Sequence, residues 1–219
     1  MKPRLSQKHN AAMTLFEVGV IVAVVMIFFV LFAPAIFRPQ PRRYPGIACI
    51  NNLKQEVLSF KLWAGDNRDI LPMGISVTNG GSMELVATGN VASTFLAMSN
   101  ELSTPKILFC PDDTSHFLTN NFGGLCNSNI SYFVSADMTN DANPQMILSG
   151  DSDLMLGGKM LKPGLASLWT NDSVAWSTTR HNKYGNIGLA DGSVQSTTSG
   201  SLRTYLQQTG LATNRFALP

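Results

Sequence analysis

The sequence contains few of the residues on which metal sites and catalytic sites most often depend. Its 219 residues include only three histidines and three cysteines. The cysteines show neither Cys-x-x-Cys spacing nor a companion histidine cluster, either of which would indicate zinc. A Gly-x-Ser-x-Gly segment and a glycine-rich phosphate loop are also absent from the sequence. We therefore predict that the protein is not an enzyme and needs no cofactor.

In the greater part of the chain, basic residues do not outnumber acidic ones. After Tyr44, ten Lys and Arg residues face thirteen Asp and Glu residues, which gives this part a net charge of −3. Six of the sixteen basic residues precede Tyr44: Lys2, Arg4, Lys8, Arg38, Arg42 and Arg43. Duplex binding requires a basic surface on the folded part. We therefore predict no nucleic-acid partner.

The N-terminal part carries a long apolar run at 13–33, MTLFEVGVIVAVVMIFFVLFA. As a helix it would rise about 31 Å, close to the roughly 30 Å of a bilayer's hydrocarbon core, and it is too long for the apolar region of a secretory signal. The sequence therefore predicts a leader at 1–12 and a transmembrane helix at 13–37.

Glu17 interrupts the apolar run near its start, where a buried acid is costly unless it has a partner. If the chain were cut before Met13, the new α-amine of a neighbouring subunit could pair with it. The alternative is an interfacial glutamate that reaches the lipid headgroups.

The remainder of the chain predicts an α+β fold. Three prolines in 38–46 cannot continue a helix and predict a linker. Apolar residues at three- and four-residue intervals over 47–64 predict an amphipathic helix packed on an antiparallel sheet, and Asn90 is a candidate N-cap for a helix at 91–102. Strand-like runs follow at 106–110, 130–135, 145–149, 173–177 and 186–190.

The C-terminal part predicts a hairpin and a short helix. Asp191 and Gly192 separate two strand-like runs, and this pair favours a two-residue type I′ turn. A short helix is then expected at 202–209, with Ser201 as its cap and Gly210 as its stop. The head predicted for 47–219 is one α+β domain.

The segment Ala12-Met13-Thr14-Leu15-Phe16-Glu17, between a short basic leader and the apolar run, resembles the type III signal of type IV pilins and pseudopilins. The resemblance implies that prepilin peptidase cuts between Ala12 and Met13 and methylates the new amine, and that Glu17 docks subunits together. Pro34 stands at the twenty-second position counted from Met13, where pilins commonly carry a helix-bending proline. The family usually has Gly and Phe where this chain has Ala12 and Met13.

A second resemblance extends over nearly the whole chain. Several separated motifs are similar to those of bacterial prepilin-type proteins, which are related to G-type pseudopilins of type II secretion. These motifs are Cys49-Ile-Asn-Asn-Leu-Lys-Gln, Trp63-Ala-Gly-Asp-Asn, Cys110-Pro-Asp-Asp-Thr, Ser131-Tyr-Phe-Val, and His181 followed after nine residues by Asp191-Gly192.

This resemblance implies a structural subunit, a pseudopilin, that assembles at the bacterial inner membrane for type II secretion or a type IV pilus-like system. Its partners would be prepilin peptidase and other pilin or pseudopilin subunits, which it would contact through the N-terminal helix, and its head would be extracytoplasmic. The alternative is an uncleaved, membrane-anchored surface or binding protein with no pilus role.

The same motifs bear on the cysteines. Cys49 and Cys110 both fall inside family motifs and Cys126 does not, so the resemblance favours a Cys49–Cys110 disulfide. A Cys110–Cys126 bridge, closing a small loop as pilins often do near their tip, is the alternative, and three buried thiols are a third possibility.

Two further residue pairs are candidates for chemistry. His181 and Asp191 could form a base and its orienting acid, but a strand between them would separate them by about 17 Å. We therefore expect His181 to anchor the entry of the strand, and Asp191 with Gly192 to satisfy the turn. Asp151 and Asp153 place two carboxylates in a predicted loop and are candidate calcium ligands, although the spacing of an EF-hand is missing.

Overall fold

The structure, a computed structural model, describes residues 14–36, 45–140 and 143–219. The chain divides into two compact units, Met1–Arg43 and Tyr44–Pro219. In the first unit, α1 spans Leu15–Ile36. The helices of the second unit are α2 (Pro45–Asp66), α3 (Met83–Val86), α4 (Val91–Ala97), α5 (Ser99–Leu102) and α6 (Ser199–Gln208). Its strands are β1 (Tyr132–Ser135), β2 (Ile147–Asp151), β3 (Leu154–Leu156), β4 (Lys159–Met160), β5 (Gly164–Trp169), β6 (Val174–Trp176), β7 (Tyr184–Leu189), β8 (Val194–Thr198) and β9 (Thr213–Leu218).

The prediction of an N-terminal transmembrane helix is wrong for the residues that the structure describes. Within them, no helix combines the length and the apolar character needed to cross a membrane.

The predicted leader at 1–12, with Ala12, and the neighbouring Met13 lie outside the described residues. Most of the predicted linker at 38–46 does so as well, and its last two residues already belong to α2, which begins at Pro45. Proline suits the first turn of a helix because the N–H that it lacks would have no partner there.

The second unit, which we call the head, has the predicted α+β fold, built on a six-stranded sheet. The strand order is β5-β9-β1-β2-β7-β8, and every neighbouring pair is antiparallel. A smaller sheet has the order β4-β3-β6. Neither β5 nor β9 was predicted. In β5, Gly164 and Ser167 interrupt the apolar pattern, and Leu168 is the one side chain of the strand that is fully buried.

Successive residues of β1 point to opposite faces of the sheet and so divide the core in two. Tyr132 and Val134 belong to the apolar cluster beneath α2, whereas Phe133 belongs to the cluster that includes Leu202 and Leu206 of α6. Helices therefore cover both faces, as the apolar strands require.

The helix α2 lies very close to the sheet. Leu53, Val57 and Phe60, at the predicted three- and four-residue intervals, are fully buried. A Cβ atom on Gly188 of β7 would stand 2.3 Å from Cγ2 of Val57, so only glycine leaves room for this approach. The same packing holds Cys49, at the start of α2, in the core.

Two predicted elements differ in the structure. The residues 106–110 were expected to form a strand, but Pro105–Leu108 form a 3₁₀ turn, because proline fixes φ and lacks the N–H that a strand ladder needs. The helix expected at 91–102 is divided at Met98 into α4 and α5. Asn90 caps α4 as predicted, since its side chain accepts from the backbone N–H of Ser93.

Candidate functional site

Glu17 forms a capping box at the start of α1. Its carboxylate accepts from the backbone N–H of Thr14 at 2.8 Å and from the Thr14 hydroxyl at 3.1 Å. In return, the N–H of Glu17 donates to the Thr14 hydroxyl oxygen at 3.3 Å. These bonds satisfy N–H groups that have no partner in a helix's first turn. The bond from the Thr14 backbone lowers the pKa of Glu17 below its ordinary value, so the carboxylate is charged at neutral pH.

The rest of α1 presents apolar side chains to its surroundings. Phe16 and Phe29 are 79% and 70% exposed, and the residues between them are mainly exposed Val, Ile and Met. Pro34 lies inside α1. An apolar helical surface of this size is typical of an interaction site.

In the second unit, a disulfide joins Cys49 of α2 to Cys110, just beyond the 3₁₀ turn. Both cysteines are fully buried. Cys126 is free and exposed, and its sulfur contacts Ser128 and Asn129 at 3.1 Å.

His181 lies against this disulfide. Its Nδ1 donates to Asp112 at 2.9 Å, and its Nε2 stands 3.4 Å from the Cys110 sulfur and 3.6 Å from an Asp151 oxygen. The imidazole therefore bridges the loop that follows Cys110 and the end of β2. His181 does anchor the entry to β7, but through carboxylates and a cysteine that motif spacing alone did not identify.

Arg180, next to His181, is the cation of the same buried region. It forms an ion pair with Asp113 and donates to the carbonyl oxygen of Ser131 at 2.8 Å. His116 also donates to Asp113, at 2.7 Å. Burial by itself raises the pKa of Asp113, but the His116 bond and the Arg180 charge outweigh it and bring the pKa well below its usual range.

Asp151 and Asp153 are buried rather than displayed in an open loop. Asp151 ends β2 and accepts from the backbone N–H and side-chain amide of Asn186, at 2.7 and 2.9 Å. Asp153 accepts from the Ser177 hydroxyl at 2.9 Å. Burial raises the pKa of both to about 6, although the Arg180 charge opposes the shift. Each retains one oxygen, Oδ1, without a hydrogen-bond partner. Calcium binding here stays a prediction.

The backbone at His181 adopts a conformation that is rare for residues with side chains. His181, Asn182 and Lys183 have φ values of 50°, 50° and 71°. Positive φ at such residues costs on the order of 1–3 kcal/mol each and persists only where the surrounding structure enforces it. The contacts of Arg180 and His181 hold the backbone in this conformation.

Asp191 is not a partner of His181, because the two residues stand at opposite ends of β7. Asp191 accepts from the N–H of Ser193 at 2.8 Å, and Gly192 has a φ of 94°. The N–H of Gly192 donates to the carbonyl oxygen of Leu189 at 3.0 Å, which makes Ala190, Asp191 and Gly192 a three-residue loop. The expected type I′ turn is therefore wrong, since it needs positive φ at both central residues and Asp191 does not have it.

A cavity of about 310 Å³ opens beside this cluster. Its polar walls include Asp113, His116, Asp153 and Arg180. Acidic and basic side chains therefore face one space, which suits a small polar or zwitterionic ligand.

Sequence reasoning missed Glu56, a fully buried carboxyl group in α2. One of its oxygens accepts from the Ser149 hydroxyl of β2, and the other has no hydrogen-bond partner. Its position between Leu53 and Phe60 on the apolar stripe was the available signal. Burial, opposed by the Ser149 bond and helped by the charge of Asp151, raises its pKa to about 8.

The raised pKa of Glu56 predicts a head that loses stability as the pH rises. The pKa moves from 4.5 to about 8 on folding, so this contribution is complete below about pH 4.5 and declines as the pH rises towards 8. Glu56→Gln keeps the acceptor for Ser149 and cannot ionise. Urea unfolding across this pH range should show that the free energy of unfolding of Glu56→Gln, relative to that of the wild type, increases by roughly 2–4 kcal/mol towards the alkaline end. The same slope in both proteins would contradict the assignment, and Glu84→Gln, at an exposed carboxylate, is the control.

A scan against protein-family models, a search of curated proteins and a search of solved structures each found no match to this chain. Its function is therefore inferred from its own residues and from the sequence motifs described above.

Proposed function

We propose that this protein is a pilin-like structural subunit, a pseudopilin, that assembles with other pilin or pseudopilin subunits through α1. The observation that carries the proposal is the exposed apolar surface of α1, with Phe16 at 79% and Phe29 at 70% exposure. Covering apolar surface contributes about 25 cal/mol per Å². Equivalent helices of neighbouring subunits would supply that cover, and α1 contributes one acid, Glu17, to the interface.

Cutting before Met13 would place a new α-amine one residue before Thr14, at the same end of α1 as the Glu17 carboxylate. A charged amine from one subunit and Glu17 from the next would then set the register between helices. Prepilin peptidase is the processing partner in this proposal, and methylation of the amine would follow.

The location proposed for assembly is the bacterial inner membrane, with the head outside the cytoplasm, as the family resemblance implies. In this proposal α1 packs against the equivalent helices of neighbouring subunits. The buried Cys49–Cys110 disulfide supports an extracytoplasmic head, since disulfides persist mainly in oxidising compartments.

The second candidate is an uncleaved surface or binding protein. The cavity of about 310 Å³ beside Asp113 and Arg180 favours it, because a packing subunit needs no polar cavity. In that case Glu17 would act only as the capping residue of α1.

Glu17 variants separate these candidates. Glu17→Ala removes both the cap and the charge, whereas Glu17→Gln keeps the capping geometry and removes only the charge. If the carboxylate docks subunits, both variants should reduce cross-linked or co-purified assemblies at least about tenfold. Leaving the partner amine unpaired in the interface costs more than about 1.4 kcal/mol. The melting temperature of the head should not change.

The control is Glu84→Ala in the head, where an exposed carboxylate likewise accepts from a hydroxyl and a backbone N–H, those of Ser76 and Val77. It should assemble like the wild type. Normal assembly of Glu17→Gln would refute the docking role and leave the cap as the only function of Glu17.

A further inference from the structure

We infer that the head, when its disulfide is reduced, holds a zinc ion between Cys49, Cys110 and His181. The sulfur atoms and an imidazole nitrogen lie within 4.8 Å of one another, and all three residues are buried or nearly so. This inference is independent of the proposed assembly, because every group involved belongs to the second unit.

The distances fit a tetrahedral zinc site. With Zn–S bonds near 2.3 Å and Zn–N or Zn–O bonds near 2.0–2.1 Å, the edges of the tetrahedron measure roughly 3.3–3.8 Å. His181 Nε2 already stands 3.4 Å from the Cys110 sulfur, close to the sulfur–nitrogen edge of such a tetrahedron. The two sulfurs need to separate only to about 3.8 Å once their bond is broken.

The groups that would orient the histidine ligand are also in place. His181 donates from Nδ1 to Asp112 at 2.9 Å, which leaves Nε2, the atom facing the sulfur, to bind a metal. A carboxylate behind a histidine ligand is the arrangement that fixes the ring in metal sites. Asp151 Oδ2 is held by Asn186, while the buried Oδ1 has no hydrogen-bond partner.

Reduction of the disulfide and binding of zinc conserve both electrons and protons. A dithiol reductant gives two electrons and two protons to the Cys49–Cys110 bond, becomes a disulfide itself and leaves two thiols. Zinc binding then releases those two protons, because thiolates are the ligands. Two buried thiolates beside Asp151 would be strongly destabilised without a cation, and Zn²⁺ supplies the missing charge.

The consequence is a head with two interchangeable cross-links. The disulfide ties α2 to the loop beyond the 3₁₀ turn under oxidising conditions, and zinc would tie the same two elements under reducing conditions. These two elements would thus stay cross-linked before the disulfide forms.

The test uses the full chain kept reduced from synthesis onwards and titrated with Co²⁺ and then Zn²⁺ alone. The expected result is one cobalt per chain, with thiolate-to-cobalt charge-transfer absorption in the near ultraviolet and tetrahedral ligand-field bands that Zn²⁺ abolishes. The oxidised chain should show neither band. Absence of the thiolate band in the reduced chain would overturn the inference.

Variants identify the ligands. His181→Gln and Cys110→Ala should weaken cobalt binding at least about 100-fold. Asp112→Asn should weaken it about 10- to 100-fold, since losing the carboxylate that holds a histidine ligand typically has that effect. The matched controls are His116→Gln, a histidine that also donates to an aspartate, and Cys126→Ser, the free cysteine. Both should bind like the wild type. Wild-type affinity in His181→Gln, or loss of binding in Cys126→Ser, would contradict the site.

A second measurement does not depend on how well a variant folds. In the reduced wild type, Zn²⁺ should protect Cys49 and Cys110 from alkylation and leave Cys126 reactive, as peptide mass spectrometry would show. Equal labelling of all three cysteines with and without zinc would refute the inference.

Discussion

Replacing Cys49 and Cys110 together by alanine is expected to lower the free energy of unfolding of the oxidised head by about 4 kcal/mol. The two residues are 61 positions apart, and cross-linking a loop of that length removes about 4 kcal/mol of chain entropy from the unfolded state. Native disulfides typically contribute about 2–5 kcal/mol. Guanidinium unfolding of both proteins, without reductant and with a zinc chelator present, measures the difference.

Cys126→Ala is the matched control for this experiment, because Cys126 is exposed and forms no disulfide. It should change the stability by less than about 0.5 kcal/mol, as surface substitutions usually do. A double variant as stable as the wild type would show that the Cys49–Cys110 bond does not hold the head together.

Arg180→Met is expected to destabilise the head by about 3–5 kcal/mol near neutral pH, the cost of removing one partner from a buried ion pair. Arg180 is 5% exposed. Its loss leaves Asp113 with His116 as its ion-pair partner. The carbonyl oxygen of Ser131 loses one of two donors and keeps the N–H of Ser152. The Arg180 charge also lowers the pKa of Asp151 and Asp153, so those carboxyl groups become harder to ionise.

The effect of Arg180→Met should depend on pH in a definite direction. The folded pKa of Asp113 lies below its ordinary value of 3.8. The ion pair therefore contributes stability above that pH and loses it as the pH falls further. Urea unfolding should show a smaller difference between variant and wild type in acid than at neutral pH.

Arg215→Met is the control for Arg180→Met. Arg215 also pairs with an aspartate, Asp137, but its side chain is 48% exposed. Exposed pairs contribute about 1 kcal/mol or less, so the loss should be several-fold smaller. Equal losses in the two variants would show that burial does not set the strength of the Arg180 pair.

The elements that sequence predicted well are those with a strong local signal. The apolar stripe of α2 follows from residues three and four positions apart, and the cap of α4 from Asn90 alone. The apolar run that begins at Met13 was a strong local signal as well, yet no described helix is long and apolar enough to cross a membrane. The local pattern predicted the position of α1 in the sequence, but it did not establish the environment of that helix.

The candidate site was harder to predict because its partners are distant in sequence. The contacts of His181 with Asp112 and Asp151 depend on the pairing of β7 with β2. Motif spacing does not predict such contacts. The motif pairs His181 with Asp191, which serves a turn at the far end of β7. The buried Glu56 was detectable as an acid on an apolar face, but its partner Ser149 depends on how α2 is placed over the sheet.

The most direct test of the pilin-like assignment is the intact mass and N-terminal sequence of the protein isolated from the cells that produce it. Processing as a pseudopilin predicts a chain that begins at Met13 with a methylated amine. A chain that still begins at Met1 would contradict the assignment and would favour the uncleaved binding protein.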